Sequence, residues 1–244
     1  MKATPAEQNE LLRLQSIDTS LQRLEHTARN LPQDAELKAL APQLASVRQT
    51  HVARTGELED ARAELRRAES DVAVVEARIE RDSGRLQHSA SVKDIQGLEA
   101  ELTSLRKRRS DLEEIELSVM ERIEGLEGTL AEVEGQRSEL GGRAAELEAA
   151  RRGELETIDA RRKALVADRA TIAATLPGDL VALYEKQRAR YGIGAALLQR
   201  GISLGSNTAL NPTDMDVIRK AAPDDVLLCP ESSCILVRNE ESGL

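Results

Sequence analysis

The sequence predicts a mainly α fold: a long antiparallel coiled-coil helical hairpin carrying a small C-terminal α+β module. Three observations carry this. Among 244 residues there are two tyrosines and no phenylalanine or tryptophan, so an aromatic-rich globular core is excluded. Charged residues make up 32% of the chain, and the apolar remainder is almost entirely Leu, Ala, Val and Ile, the composition of long helices. Proline is absent from Gln43 to Leu176, which permits helices of great length.

Within that run Leu58, Ala61, Leu65, Ala68, Val72, Val75, Ile79, Asp82 and Leu86 follow three-four spacing, a heptad stripe that only Asp82 interrupts. A second stripe opens with Ile95, Leu98, Leu102, Leu105 and Leu112, so the chain reverses at a tip near 87–92. Antiparallel arms require partner numbers with a nearly constant sum, and pairs such as Ile79 with Leu102, Ala68 with Leu112 and Leu40 with Leu140 keep it near 180. The same rule sets Arg66 and Arg67 opposite Glu113 and Glu114, and Pro42 opposite Gly135, Gly141 and Gly142. Helix-weakening residues at one height on both arms predict bends near 32–42 and 135–142. Leu14, Ile17, Leu21, Leu24, Ala28 and Leu31 continue the stripe on the first arm, opposite 147–166.

The hairpin is expected to occupy residues 1–176 and the second module 177–244. Leu180 to Arg188 reads as a short helix, and Tyr191-Gly192-Ile193-Gly194 as a flexible joint. Ala195 to Leu198 reads as a strand, Asn211-Pro212-Thr213-Asp214 as a helix start, and Val226–Leu228 and Ile235–Val237 as strands flanking Cys229 to Cys234.

The C-terminal segments LYEKQRARYGIGAALLQRG, LNPTD and ILVR, behind a long hairpin whose tip carries SVKDIQGLEAELTSLRKRRSDLEEIELSVMER, resemble the bacterial C4-type zinc-ribbon proteins with an N-terminal coiled-coil hairpin. The resemblance covers essentially the whole chain. It implies two Cys-x-x-Cys knuckles holding one zinc, at positions that correspond to Ser203, Ser206, Cys229 and Ser232. Three of these four are serine, and a neutral hydroxyl is a poor substitute for a thiolate, so the ribbon is degenerate and no zinc or other cofactor is expected. Cys234 is an additional thiol outside the implied ligand set. Without metal, a domain this small needs another means of cohesion. The candidates are packing of Leu180, Leu183, Tyr184, Leu197, Leu198, Leu210, Ile218, Leu228 and Leu236, or a Cys229–Cys234 disulfide. The resemblance further implies a cytoplasmic interaction factor: studied relatives serve flagellar or type III secretion components, and an RNA-binding role has been attached to one.

Catalysis is not expected. There is no Gly-rich phosphate loop with a lysine and no His-based nucleophile arrangement, and His26, His51 and His88 lie far apart and read as solvated. The net charge of −9 repels phosphate backbones over most of the surface. No apolar stretch approaches the roughly 18 residues of a membrane span. Two cysteines fit a reducing compartment, hence the cytoplasm. The most basic run, Arg106-Lys107-Arg108-Arg109, is the interaction candidate, although the flanking acids and Leu105 and Leu112 suit an ordinary solvated helix face. The expected function is a non-catalytic adaptor or chaperone-like scaffold for protein partners, with homodimerisation left open. The alternative is RNA or DNA binding through the ribbon-like module, whose seven basic and nine acidic residues from Pro177 onward disfavour it.

Overall fold

The computed structural model describes residues 1–244. It contains helices α1 (Pro5–Arg29), α2 (Pro32–His88), α3 (Val92–Thr175), α4 (Gly178–Tyr191) and α5 (Pro212–Lys220), and strands β1 (Ala195–Gln199), β2 (Ile202–Ser203), β3 (Thr208–Ala209), β4 (Leu227–Leu228) and β5 (Ile235–Val237). The chain divides into two compact units, Gln33–Ala149 and Met1–Pro32 with Ala150–Leu244. No helix is long and apolar enough to cross a membrane.

The first unit is the hairpin, which reverses between His88 and Val92 as the two stripes require. Every residue of the Leu58-to-Leu86 stripe is buried or half-buried, and Leu102, Leu112 and Val119 are buried on α3. Antiparallel pairing is set out by ion pairs between the arms: Arg62–Glu127, Glu64–Arg122, Glu76–Arg109, Arg78–Glu101 and Glu36–Arg143. Their residue numbers add to 179 for Arg78–Glu101 and to 189 for Arg62–Glu127. The cross-arm pairing expected of Arg66 and Arg67 falls instead to Arg62 and Arg122, whose acidic partners Glu127 and Glu64 lie several positions beyond the register of the apolar stripe. His51 is not simply solvated, since its Nε2 lies 3.4 Å from Glu134 Oε1 on the other arm.

Both helices run without a break through the weak positions. α2 includes Pro42, and α3 includes Gly135, Gly141 and Gly142. Pro42 is on an exposed face, so the Lys38 carbonyl that loses its usual donor stays within reach of water, while buried Leu40 keeps the helix seated. A 550 Å³ groove lined by Pro42, Val47, Gln136 and Leu140 places these stretches at one height, as the constant sum requires.

In the second unit, Thr4 caps α1 through a reciprocal box with Glu7 and Pro5 opens the helix, so the first turn has its orphan amides satisfied. The sheet runs β3-β2-β1-β5-β4, with β1 and β5 parallel and the other neighbours antiparallel. Side chains alternate across it. Ala195, Ile235 and Val237 pack with Leu11, Leu14, Ile172, Leu176, Leu180 and Tyr184, whereas Ala196, Leu198 and Leu236 pack with Met215, Ile218, Cys229 and Cys234. The sheet is therefore covered on both faces, and both cysteines are free, so cohesion comes from packing rather than a disulfide. Leu228 lies outside that core and is half exposed. Arg200 and Gly201, both at positive φ, make the two-residue turn between β1 and β2, a hairpin the sequence pattern did not reveal. Arg238 donates to the carbonyls of Ile218, Ala221, Ala222 and Asp225, closing the C-terminal end of α5. Met1 to Ala3 lies along Asp224–Val226, joined by Ala3 N to Asp224 O at 2.8 Å and Val226 N to Met1 O at 3.2 Å.

Tyr191 to Gly194 is a tight junction, not a flexible joint. Gly192, at φ 83°, ends α4 in the left-handed region, where its N–H reaches the Arg188 carbonyl at 2.9 Å. A Cβ on Gly194 would stand 2.4 Å from the Tyr184 ring, so only glycine lets the chain pass this close.

Candidate functional site

Three places in the fold gather the residues that chemistry could use. The first is the cluster of implied metal positions at the end of β2 and in the β4–β5 turn. Cys229 stands opposite Cys234 where the β4–β5 ladder ends, with Cys229 N donating to Cys234 O at 2.8 Å. The Cys229 thiol donates to the buried Ser203 hydroxyl at 3.2 Å, and Ser232 Oγ contacts Cys234 Sγ at 3.1 Å. Ser206 turns to Thr208, accepting its hydroxyl at 2.6 Å. Gly205 fills the middle: a Cβ there would meet Cys234 Sγ at 2.6 Å and Ser232 Oγ at 3.0 Å.

Burial pushes the Cys234 thiol above its ordinary range. Burial acts in the same sense on Cys229, but its ionised sulfur can accept from the Ser203 and Ser232 hydroxyls and from the Ser232 and Glu231 amides, which outweighs burial and holds this thiol below the usual value. The four implied zinc positions do not fit the ion. Only Cys229 supplies a thiolate, hydroxyl–thiol contacts occupy the centre, and no group of three or more His, Cys, Asp or Glu side chains that could hold a metal converges anywhere.

The second place is a buried charged network. Asp18, 2% exposed, accepts from Arg169 Nε at 2.7 Å, Arg169 Nη2 at 3.1 Å and the Tyr184 hydroxyl at 2.7 Å. Arg169 also donates to Glu185, which in turn accepts from Arg188 at 2.9 and 3.1 Å. Gln15 Oε1 accepts from Gly194 N at 2.7 Å and from the Tyr184 hydroxyl at 3.3 Å.

Burial alone would raise the Asp18 pKa, yet the hydrogen bonds from Arg169 and Tyr184 and the nearby guanidinium charges keep it below the carboxylate range. Glu185 is lowered in the same way, its burial overcome by Arg169 and Arg188. Burial and then the Asp18 carboxylate drive the Tyr184 phenol upward. The network is engaged within itself, which ties α1, α3, α4 and β1 together. Sequence reasoning missed it although a signal was present: Leu11, Leu14, Asp18 and Leu21 have three-four spacing, so Asp18, like Asp82, is an acid on an apolar stripe.

The third place is the basic run on α3. Arg106, Lys107 and Arg108 are exposed, but Arg109 is half-buried in the seam, its Nε 3.1 Å from Glu113 and its Nη1 3.9 Å from Glu76. The candidate set is thus split between three outward cations and one register-holding arginine. His26 and His88 are exposed and approach none of these places.

Known proteins with this arrangement exist. The chain is 34% identical over 244 residues to an uncharacterised Mycobacterium tuberculosis protein, Rv2229c, covering 98% of each. It superposes on a Mycobacterium smegmatis structure with a TM-score of 0.84 at 33% identity, covering 98% of this chain and all of that one. CT398 from Chlamydia trachomatis shares the fold at a TM-score of 0.62 and 19% identity, over 96% of this chain and 98% of that one. Residues 14–192 match the family described as the CT398-like coiled coil hairpin domain. With the hairpin, the α4 junction and this match in agreement, the chain belongs to the CT398-like coiled coil hairpin domain family.

Proposed function

We propose that this protein is a non-catalytic cytoplasmic adaptor or chaperone-like scaffold that binds other proteins, with a C-terminal module that is a degenerate zinc ribbon working without metal. The observation that carries the reading is the asymmetry of the basic run. Arg109 is used to hold the arms together, whereas Arg106, Lys107 and Arg108 project outward without an ion partner. Four successive helical residues sweep the whole circumference, so three of the four cations are left to face something other than the hairpin. The buried acids and the phenol support a non-catalytic role, since each already has its donors or acceptors within the network.

The test is photo-crosslinking in the native host from a reactive residue at position 107. Protein crosslinks that disappear when Arg106→Glu/Arg108→Glu is added, with helicity unchanged, support the reading. Crosslinks to nucleic acid with a steep salt dependence, or no protein crosslinks at all, overturn it.

A further inference from the structure

We propose that one side of α1, from its groove with α3 to its groove with β1, is a docking surface for an acidic amphipathic helix of a partner protein. The inference deepens the scaffold reading and rests on it. One groove of 480 Å³ lies between α1 and α3 over Leu24, Ala164 and Leu165. A second, of 410 Å³, lies between α1 and β1 over Leu12, Ile193, Leu197 and Leu204. Ser20 and Arg23 line both, so the two are one continuous surface. From Leu12 to Thr27 it extends about 22 Å at 1.5 Å per residue, the length of about four helical turns. Leu204 remains 46% exposed on its floor.

The charge over this floor selects the occupant. Arg23 and Arg161 face the first groove from the two helices, and neither has an ion partner. The sequence explains why: neither has an acidic residue three or four positions away, where a helical arginine finds its counter-ion. The 730 Å³ groove lined by Asp18, Leu21, Leu155 and Ile158 also lies between α1 and α3, but its arginines are neutralised, Arg29 by Glu25, Arg162 by Asp159 and Arg188 by Glu185. In a chain of net charge −9, the surface on Arg23 and Arg161 combines an apolar floor with uncompensated cations. Its complement is a helix with an apolar spine flanked by Asp or Glu. The floor has no aromatic side chain on which a nucleic-acid base could stack.

The probe is a fluorescein-labelled amphipathic peptide of about 16 residues, with leucines at heptad positions and glutamates beside them, titrated into the full chain; a twin peptide carries lysines instead. The expected result is at least tenfold tighter binding of the glutamate peptide, weakened by salt. Arg23→Glu/Arg161→Glu should invert that preference, while Arg29→Glu/Arg162→Glu should leave it in place. Both arginines of the first pair are exposed and unpaired, and circular dichroism checks that the variant keeps its helicity.

Equal binding of the two peptides, or an unchanged preference in Arg23→Glu/Arg161→Glu, overturns the assignment. So does sedimentation showing a wild-type dimer that this variant dissociates, which would give the surface to a second copy. Failure of the peptides with crosslinks at position 107 intact removes the groove and leaves the scaffold. Loss of those crosslinks alone removes the scaffold reading.

Discussion

The Tyr184 hydroxyl donates a 2.7 Å hydrogen bond to Oδ2 of Asp18, a residue 166 positions earlier in the chain. Both side chains are buried, and the bond joins α4 to α1 at the point where Arg169 of α3 also meets the carboxylate. Buried carboxylates depend on each such donor, because an unmet lone pair is left away from water.

Tyr184→Phe should therefore destabilise the protein by about 1–3 kcal/mol while leaving its helicity intact. Urea unfolding checks this. A variant as stable as the wild type would mean that Arg169 alone satisfies Asp18.

The same network sets a pH window. Asp18 and Glu185 have folded pKa values below their ordinary values near 4, so their contribution is present above that range and is lost as pH falls through and below it. Tyr184 is shifted upward, so its contribution is complete below about pH 10 and fades as pH rises beyond that. The urea midpoint should be flat between about pH 5 and 9 and fall on both sides, and Tyr184→Phe should soften the alkaline limb. A midpoint unchanged between about pH 5 and 3 would contradict the assignment of Asp18 and Glu185.

Asp82 sits on the hairpin seam at 6% exposure, with Oδ1 3.5 Å from Arg85 and Oδ2 lacking a hydrogen-bond partner. A polar residue on such a stripe costs stability and fixes register. Asp82→Leu should raise stability by about 1–3 kcal/mol, measured as a higher melting temperature by circular dichroism. A lower melting temperature would show that the arginine contacts outweigh the burial of the acid.

Purified protein should carry far less than one zinc per chain by elemental analysis, since one thiolate and three hydroxyls cannot replace four soft ligands. Ser203→Cys/Ser206→Cys/Ser232→Cys should take up about one zinc per chain. One equivalent of zinc already present in the wild type would refute the degenerate-ribbon reading.

The hairpin was legible because a heptad stripe states which face is buried, and antiparallel pairing then sets the arms near one register, although individual ion pairs depart from it. The reversal between His88 and Val92 needed no further information. Asp18 was not legible as a network residue, because its partners Arg169, Tyr184 and Glu185 are brought to it only by tertiary folding. Gly194 looked like part of a loose loop because nothing local reveals the Tyr184 ring that its missing side chain admits. In the cluster of implied metal positions, the serines at 203, 206 and 232 were visible in the sequence. The pairing of Cys234 with Ser232 was not, because it depends on where the β4–β5 ladder ends.

The side chain of Gln8 donates to the carbonyl of Pro223, 215 positions later, and Ala3 is held by Asp224. During translation at about 5–20 residues per second, α1 must wait on the order of 10–40 s for these anchors to emerge. Leu11 and Leu14, fully buried at the end, stay uncovered at least until their packing partners Ile172, Leu176, Leu180 and Tyr184 emerge. Residues 33–149 form one uninterrupted segment and can zip as soon as they leave the ribosome. The order of assembly is thus written into the connectivity: the middle of the chain folds first, and its beginning remains dependent on its end and exposed to aggregation or to a chaperone.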